Sequence, residues 1–199
     1  MENFELIFPE IFISLSIMFL LIVGVFKKDS SRLVQNISLL VLLITAIITF
    51  NETLSIDEMK LFNGSVIIDY FTSFMKIVTL IAAFLVLIVS SNYLKSLKIF
   101  KIEYPILILS SVLGMMIMIS SNDLIVFYMG LELQSLALYV LATFNKDQIK
   151  SSEAGLKYFV LSALSSGLLL YGCSLIYGFT GSTNFNVIAS QLNSNEYAL

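Results

Sequence analysis

The sequence predicts an all-α polytopic membrane protein of about six transmembrane helices, and three observations predict it. Of its 199 residues, 58% are hydrophobic and only 13% are charged. The mean hydropathy is +0.93, far from the balance of a water-soluble domain. Six apolar segments, about 8–26, 33–50, 66–89, 104–119, 122–142 and 154–178, have spanning or near-spanning length. The loops between them alternate in the sign of their charge. No soluble insertion interrupts the segments, so residues 1–199 read as a single membrane domain.

The first segment follows the acidic start MENFELIFPEIF, which lacks the basic region of a cleaved signal peptide and is therefore read as a retained helix. Glu10, beside Pro9, is expected at the interface, where a helix N-terminus favours an acid. Lys27, Lys28 and Arg32 make the first loop basic. Glu52, Asp57 and Glu58 outweigh Lys60 in the second. The third segment opens near Asp69 and carries Ser73 and Lys76 on the same face. Lys76 lies deeper than Asp69 and needs a partner or a wet cavity, so a structural ion pair and a transport role both remain open for it.

Lys95, Lys98 and Lys101 form the next basic loop. The fourth and fifth segments are separated only by Ser120, Ser121 and Asn122, which predicts a tight helical hairpin, with Asp123 flanking the turn. Lys146 and Lys150 then precede the sixth. Because basic loops stay on the cytoplasmic side, the N-terminus and the tail 179–199 are expected outside. In that tail Phe185, Ile188, Ala189 and Leu192 recur at helical spacing and predict a short interfacial helix. The chain reaches Leu199 without a basic flank, as expected of a piece of a longer protein.

Several function classes are excluded. Histidine is absent and Cys173 is the one cysteine, so no disulfide framework or Cys/His metal site can form, and Cys173 is expected to pack. A net charge of −3 without a basic patch speaks against nucleic acid. Small residues at four-residue spacing on the sixth segment, Ser162 with Ser166, Ala163 with Gly167 and Ser174 with Gly178, are expected to allow close helix contact. Met115, Met116 and Met118 read as packing or lipid-facing residues.

The chemistry concentrates on Glu132, in the middle of the fifth segment, NDLIVFYMGLELQSLALYVLA. That segment is about 31 Å long as a helix, the thickness of a bilayer core. A carboxylate there costs roughly 3 kcal/mol on insertion scales and must be paired, solvated or used. Tyr128, Glu132, Ser135 and Tyr139 fall at i, i+4, i+7 and i+11 and share one face, which should turn towards protein or water. Gln134 points elsewhere. The stripe fits a proton path with Glu132 as its titrating group, and it also fits a structural salt bridge or hydrogen-bonded core carboxyl. Lys157 lies one to two turns inside the sixth helix if that helix starts near Ser151, where its stem could snorkel to the interface.

Two blocks, GLELQSLALYVLATF (130–144) and AGLKYFVLSALSSGLLLYGCSLIYGFTGST (154–183), resemble the proton-translocating membrane subunits of respiratory complex I. The wording LELQSL around Glu132 is closer to the N branch of that family (subunit 2 in mitochondria) than to the M or L branches. The likeness also takes in FPE at 8–10 and DYFTSFMK at 69–76. It implies the N-terminal part of a fourteen-helix antiporter-like subunit, with Glu132 and Lys157 as a coupled charge pair in proton translocation and Lys157 near mid-depth. It further implies other membrane-arm subunits and the lipid bilayer as partners. NADH, FMN, iron–sulfur clusters and quinone would be handled by other subunits, leaving no cofactor on this chain. A bacterial inner membrane with the N-terminus on the periplasmic side is expected, the mitochondrial inner membrane being the alternative. A multi-subunit cation/proton antiporter and a purely structural membrane subunit are the competing readings.

Overall fold

The computed structural model describes residues 4–26, 31–53, 59–97 and 99–194. The loop charges Lys27, Lys28, Asp57, Glu58 and Lys98 lie outside them. After a short 3-10 turn, Phe4–Ile7, come α1 (Phe8–Phe26), α2 (Ser31–Thr53), β1 (Met59–Leu61), β2 (Val66–Ile68), α3 (Tyr70–Ser96), α4 (Glu103–Ser120), α5 (Leu124–Ala142), α6 (Ile149–Thr180) and α7 (Phe185–Ser194). The first six helices are long and apolar enough to cross a membrane.

Helix boundaries follow from local chemistry. Pro9 stands in the first turn of α1, where its missing N–H costs nothing. Asp69 caps α3 through a reciprocal box: its Oδ1 accepts from the Thr72 amide at 2.7 Å, and its own amide donates to Thr72 Oγ1 at 2.9 Å. The third segment therefore begins as a helix at Tyr70, not at 66 as expected. Residues 66–68 are a strand, because Phe62, Asn63 and Gly64 all take positive φ and turn the chain into an antiparallel hairpin pairing Met59–Leu61 with Val66–Ile68. Asp123 caps α5, accepting from the Ile125 amide at 2.8 Å. Helix α6 runs from 149 to 180 rather than 154 to 178. It stops where Gly181 adopts φ +65° and its amide donates to the Tyr177 carbonyl at 2.7 Å.

Helices α1 to α4 enclose the main core, in which Ile13, Leu20, Leu42, Leu80, Leu87, Leu109, Val112 and Met116 are almost fully buried. Met116 is thus a core residue rather than a lipid-facing one. Helix α5 packs on α4 at a close crossing. A Cβ on Gly114 would stand 2.6 Å from the Gln134 amide nitrogen, and one on Gly130 would stand 2.8 Å from that of Met118. Both obstacles are backbone, so the tight hairpin depends on these two glycines. Helix α6 packs on α5. Of its expected small-residue pairs, Ser166 is buried, whereas Gly167 and Gly178 meet nothing within 4 Å.

The chain direction collects Glu10, Glu52, Asp69 and Asp123 at one end of the bundle and Arg32, Lys95, Lys101, Lys146 and Lys150 at the other. At the acidic-loop end a polar knot ties three connections together. The Gly64 carbonyl accepts from Asn122 Nδ2 at 2.7 Å and from Asn184 Nδ2 at 2.9 Å. Thr183 Oγ1 donates to Asp123 Oδ2 at 2.5 Å. Helix α7 leaves this knot over 185–194, where the tail spacing placed a short helix.

Candidate functional site

The stripe on α5 turns towards α6. The Tyr139 hydroxyl donates to Ser162 Oγ, and its ring meets those of Tyr158 and Phe159 edge-on at centroid distances of 4.9 and 5.7 Å. One end of the contact is thereby fixed. Nearer the acidic-loop end, Tyr128 lies within electrostatic reach of Glu132, Tyr139 and Cys173. Cys173 thus stands on α6 beside the stripe. Between these two levels sit Glu132 and Ser135 on α5 and the buried Ser166 on α6. Glu132 Oε1 is buried without a hydrogen-bond partner among the described residues. Gln134 takes no part in the stripe and lies at the Gly114 crossing with α4.

Lys157 does not reach Glu132. Its Nζ pairs with Glu153 Oε1 at 2.6 Å, one turn earlier on the same helix, with the lysine side chain 69% exposed. The α5–α6 contacts put Lys157 beside the Tyr139 level, roughly 10 Å or more along the helix axis from Glu132. No direct ion pair joins Glu132 and Lys157 in this structure. The reason is antiparallel packing: seven residues separate Glu132 from Tyr139, and Lys157 lies just beyond Tyr139's partners.

The other intramembrane charge is paired. Lys76 Nζ meets Glu10 Oε1 at 2.6 Å, their side chains being 3% and 10% exposed. Glu10 is thus a buried, paired acid rather than a solvent-facing one. It faces inward because Pro9 and Glu10 lie on the buried side of α1. Asp69, considered above beside Lys76, is engaged at the helix cap instead. Sequence reasoning missed Glu10 as the partner of Lys76. The available clue was that both stand about two turns or less from the acidic-loop end of their helices.

Comparison with known proteins gives this arrangement a family. The NADH:quinone oxidoreductase/Mrp antiporter transmembrane family matches residues 121–199. NADH-quinone oxidoreductase subunit N of Pelagibacter ubique (strain HTCC1062) is 66% identical over 199 residues, all of this chain and 42% of that protein. The subunit N of Bartonella bacilliformis is 52% identical over 193 residues, 96% of this chain and 39% of its own length. The chain thus spans about two fifths of the length of these relatives. Among solved structures, respiratory complex I from Thermus thermophilus with bound aureothin contains a chain that superposes with a TM-score of 0.75 at 26% identity, covering 88% of this chain and 38% of that one. Sequence along the whole chain and fold agree: the chain is similar throughout its length to the N-terminal part of NADH-quinone oxidoreductase subunit N.

Proposed function

We propose that the chain serves in the membrane arm of an NADH:quinone oxidoreductase, where electron transfer from NADH to quinone drives protons across the membrane, and that Glu132 is the titrating carboxylate of its proton path. The observation that carries this reading is the buried, unpartnered Glu132 Oε1 on a polar stripe facing α6. A bilayer-embedded carboxyl is costly and persists where ions move. In this reading Tyr128, Ser135 and Tyr139 line the path. Lys157, paired with Glu153, is the charged group nearer the basic-loop end, and the Tyr139–Ser162 hydrogen bond stands beside its level. Charge on one group would act on the other across this distance rather than through direct contact.

Redox groups belong to other subunits in this account, and the partners are the remaining membrane-arm subunits. The protein would reside in a bacterial inner membrane, the relatives it matches being bacterial, with the acidic-loop end and the N-terminus on the periplasmic side. The alternating loop charges support that orientation. The competing reading, a subunit of a multi-subunit cation/proton antiporter, shares the family description. Identity of 66% to a subunit N along the whole of this chain favours the first. Affinity purification of the tagged protein from its native membrane decides between them: co-purification with NADH-oxidising subunits and NADH-driven proton uptake are expected. Sodium/proton exchange without NADH oxidation would overturn the assignment.

A further inference from the structure

We propose that Glu10, Glu52 and Lys76 together bind one exchangeable proton at the acidic-loop ends of α1, α2 and α3, a second proton site separate from Glu132. The geometry begins with the buried Glu10–Lys76 pair, in which Lys76 neutralises one carboxylate. Glu10 Oε2 is left over, buried and without a hydrogen-bond partner among the described residues. A buried acceptor without a donor is expensive, and a proton on that carboxyl removes the charge that makes it so.

The second argument is a charge count. Glu52, half-buried in the last turn of α2, is within electrostatic reach of both Glu10 and Lys76. Two carboxylates against one ammonium leave the trio at net −1 inside a membrane-spanning bundle. One bound proton brings it to zero. Asp69, Asp123 and Lys60 at this end are already committed or lie outside. Asp69 caps α3 through Thr72. Asp123 caps α5 and accepts from Thr183. Lys60 is exposed on β1. Helix α4 brings Leu113, Ile117 and Ser120 to this region and no charge.

The third argument is access. Glu10 lines a cavity of about 480 Å³ between α1, α4 and the hairpin, with Ser14 and Ser120 supplying hydroxyls and Phe62 of the hairpin on its wall. A proton enters from a hydronium ion of the aqueous phase on the acidic-loop side, leaving water. One O–H bond forms on a carboxylate oxygen and no other bond changes. The site does not depend on the role assigned to Glu132.

Infrared difference spectroscopy of the full-length protein in liposomes, titrated around neutral pH without NADH, tests this. The wild-type protein is expected to show a protonated-carboxyl stretch, shifted in heavy water and kept in Glu132→Gln, that is lost in both Glu52→Gln and Glu10→Gln. Either variant leaves one carboxylate facing one ammonium. Lys76→Met is expected to gain one such band. Retention of the band in both glutamine variants, or its loss in only one, would overturn the shared site. Glu52→Gln is isosteric and half-exposed, so the test does not rest on a variant that disturbs the core.

Discussion

Replacing Lys76 with methionine probes the packing of the first three helices most sharply. At 2.6 Å, and with an effective dielectric constant of about 20, the attraction between Lys76 and Glu10 is about 6 kcal/mol. Desolvation of two nearly buried ions offsets most of it, several kcal/mol for each. The pair as a whole therefore adds little net stability. Breaking it is another matter, since the single variant leaves Glu10 buried with no counterion and forces a proton onto it, a loss of about 3–5 kcal/mol. Glu10→Leu is expected to cost less than Lys76→Met, because Glu52 remains within reach of the lysine. The double variant Glu10→Leu/Lys76→Met, with apolar groups of similar volume, should return close to wild type. In thermal unfolding of the purified protein followed by helical circular dichroism, the lysine variant should melt roughly 6–20 °C lower, taking about 2–4 °C per kcal/mol at this chain length. If the two single losses simply added in the double variant, the two groups would not be coupled and the reasoning would be wrong.

Other outcomes follow from the same structure. Gly130→Ala should destabilise by about 1–3 kcal/mol, because the new methyl meets the α4 backbone, whereas Gly172→Ala, with nothing within 4 Å, should be neutral or slightly stabilising in the same melt. Tyr139→Phe keeps the ring contacts to Tyr158 and Phe159 but loses the bond to Ser162, so it should cost about 1 kcal/mol in stability while slowing proton translocation. Asp123→Ala removes the α5 cap and the link to Thr183 and should cost about 1–2 kcal/mol, with faster amide exchange at Ile125 and Phe185.

Much of the bundle was legible because bilayer thickness sets helix length independently of any contact. The fifth helix, whose polar stripe repeats at helical spacing, could be aimed correctly from Tyr128 and Tyr139 alone. Misjudgements arose where tertiary structure overrode local pattern. Val66–Ile68 is as apolar as any helix start, and hydropathy alone does not register the Asn63-Gly64 turn that makes it a strand. Glu10 resembled an interfacial acid because its partner is 66 residues away in sequence. The α6 glycines looked like packing positions, yet the decisive close approach is Gly114 against Gly130, one glycine on each helix with no repeat to reveal it. The level of Lys157 relative to Glu132 is set by how α5 and α6 pack, which spacing within one helix does not carry.

The central claim is that Glu132 takes and releases the transported proton. The direct measurement is the number of protons moved per quinone reduced by the intact complex in sealed vesicles, comparing wild type with Glu132→Gln and Glu132→Asp. The account expects Glu132→Gln to lower that ratio while assembly is preserved, with Glu132→Asp restoring at least part of it. A wild-type ratio in Glu132→Gln would contradict it.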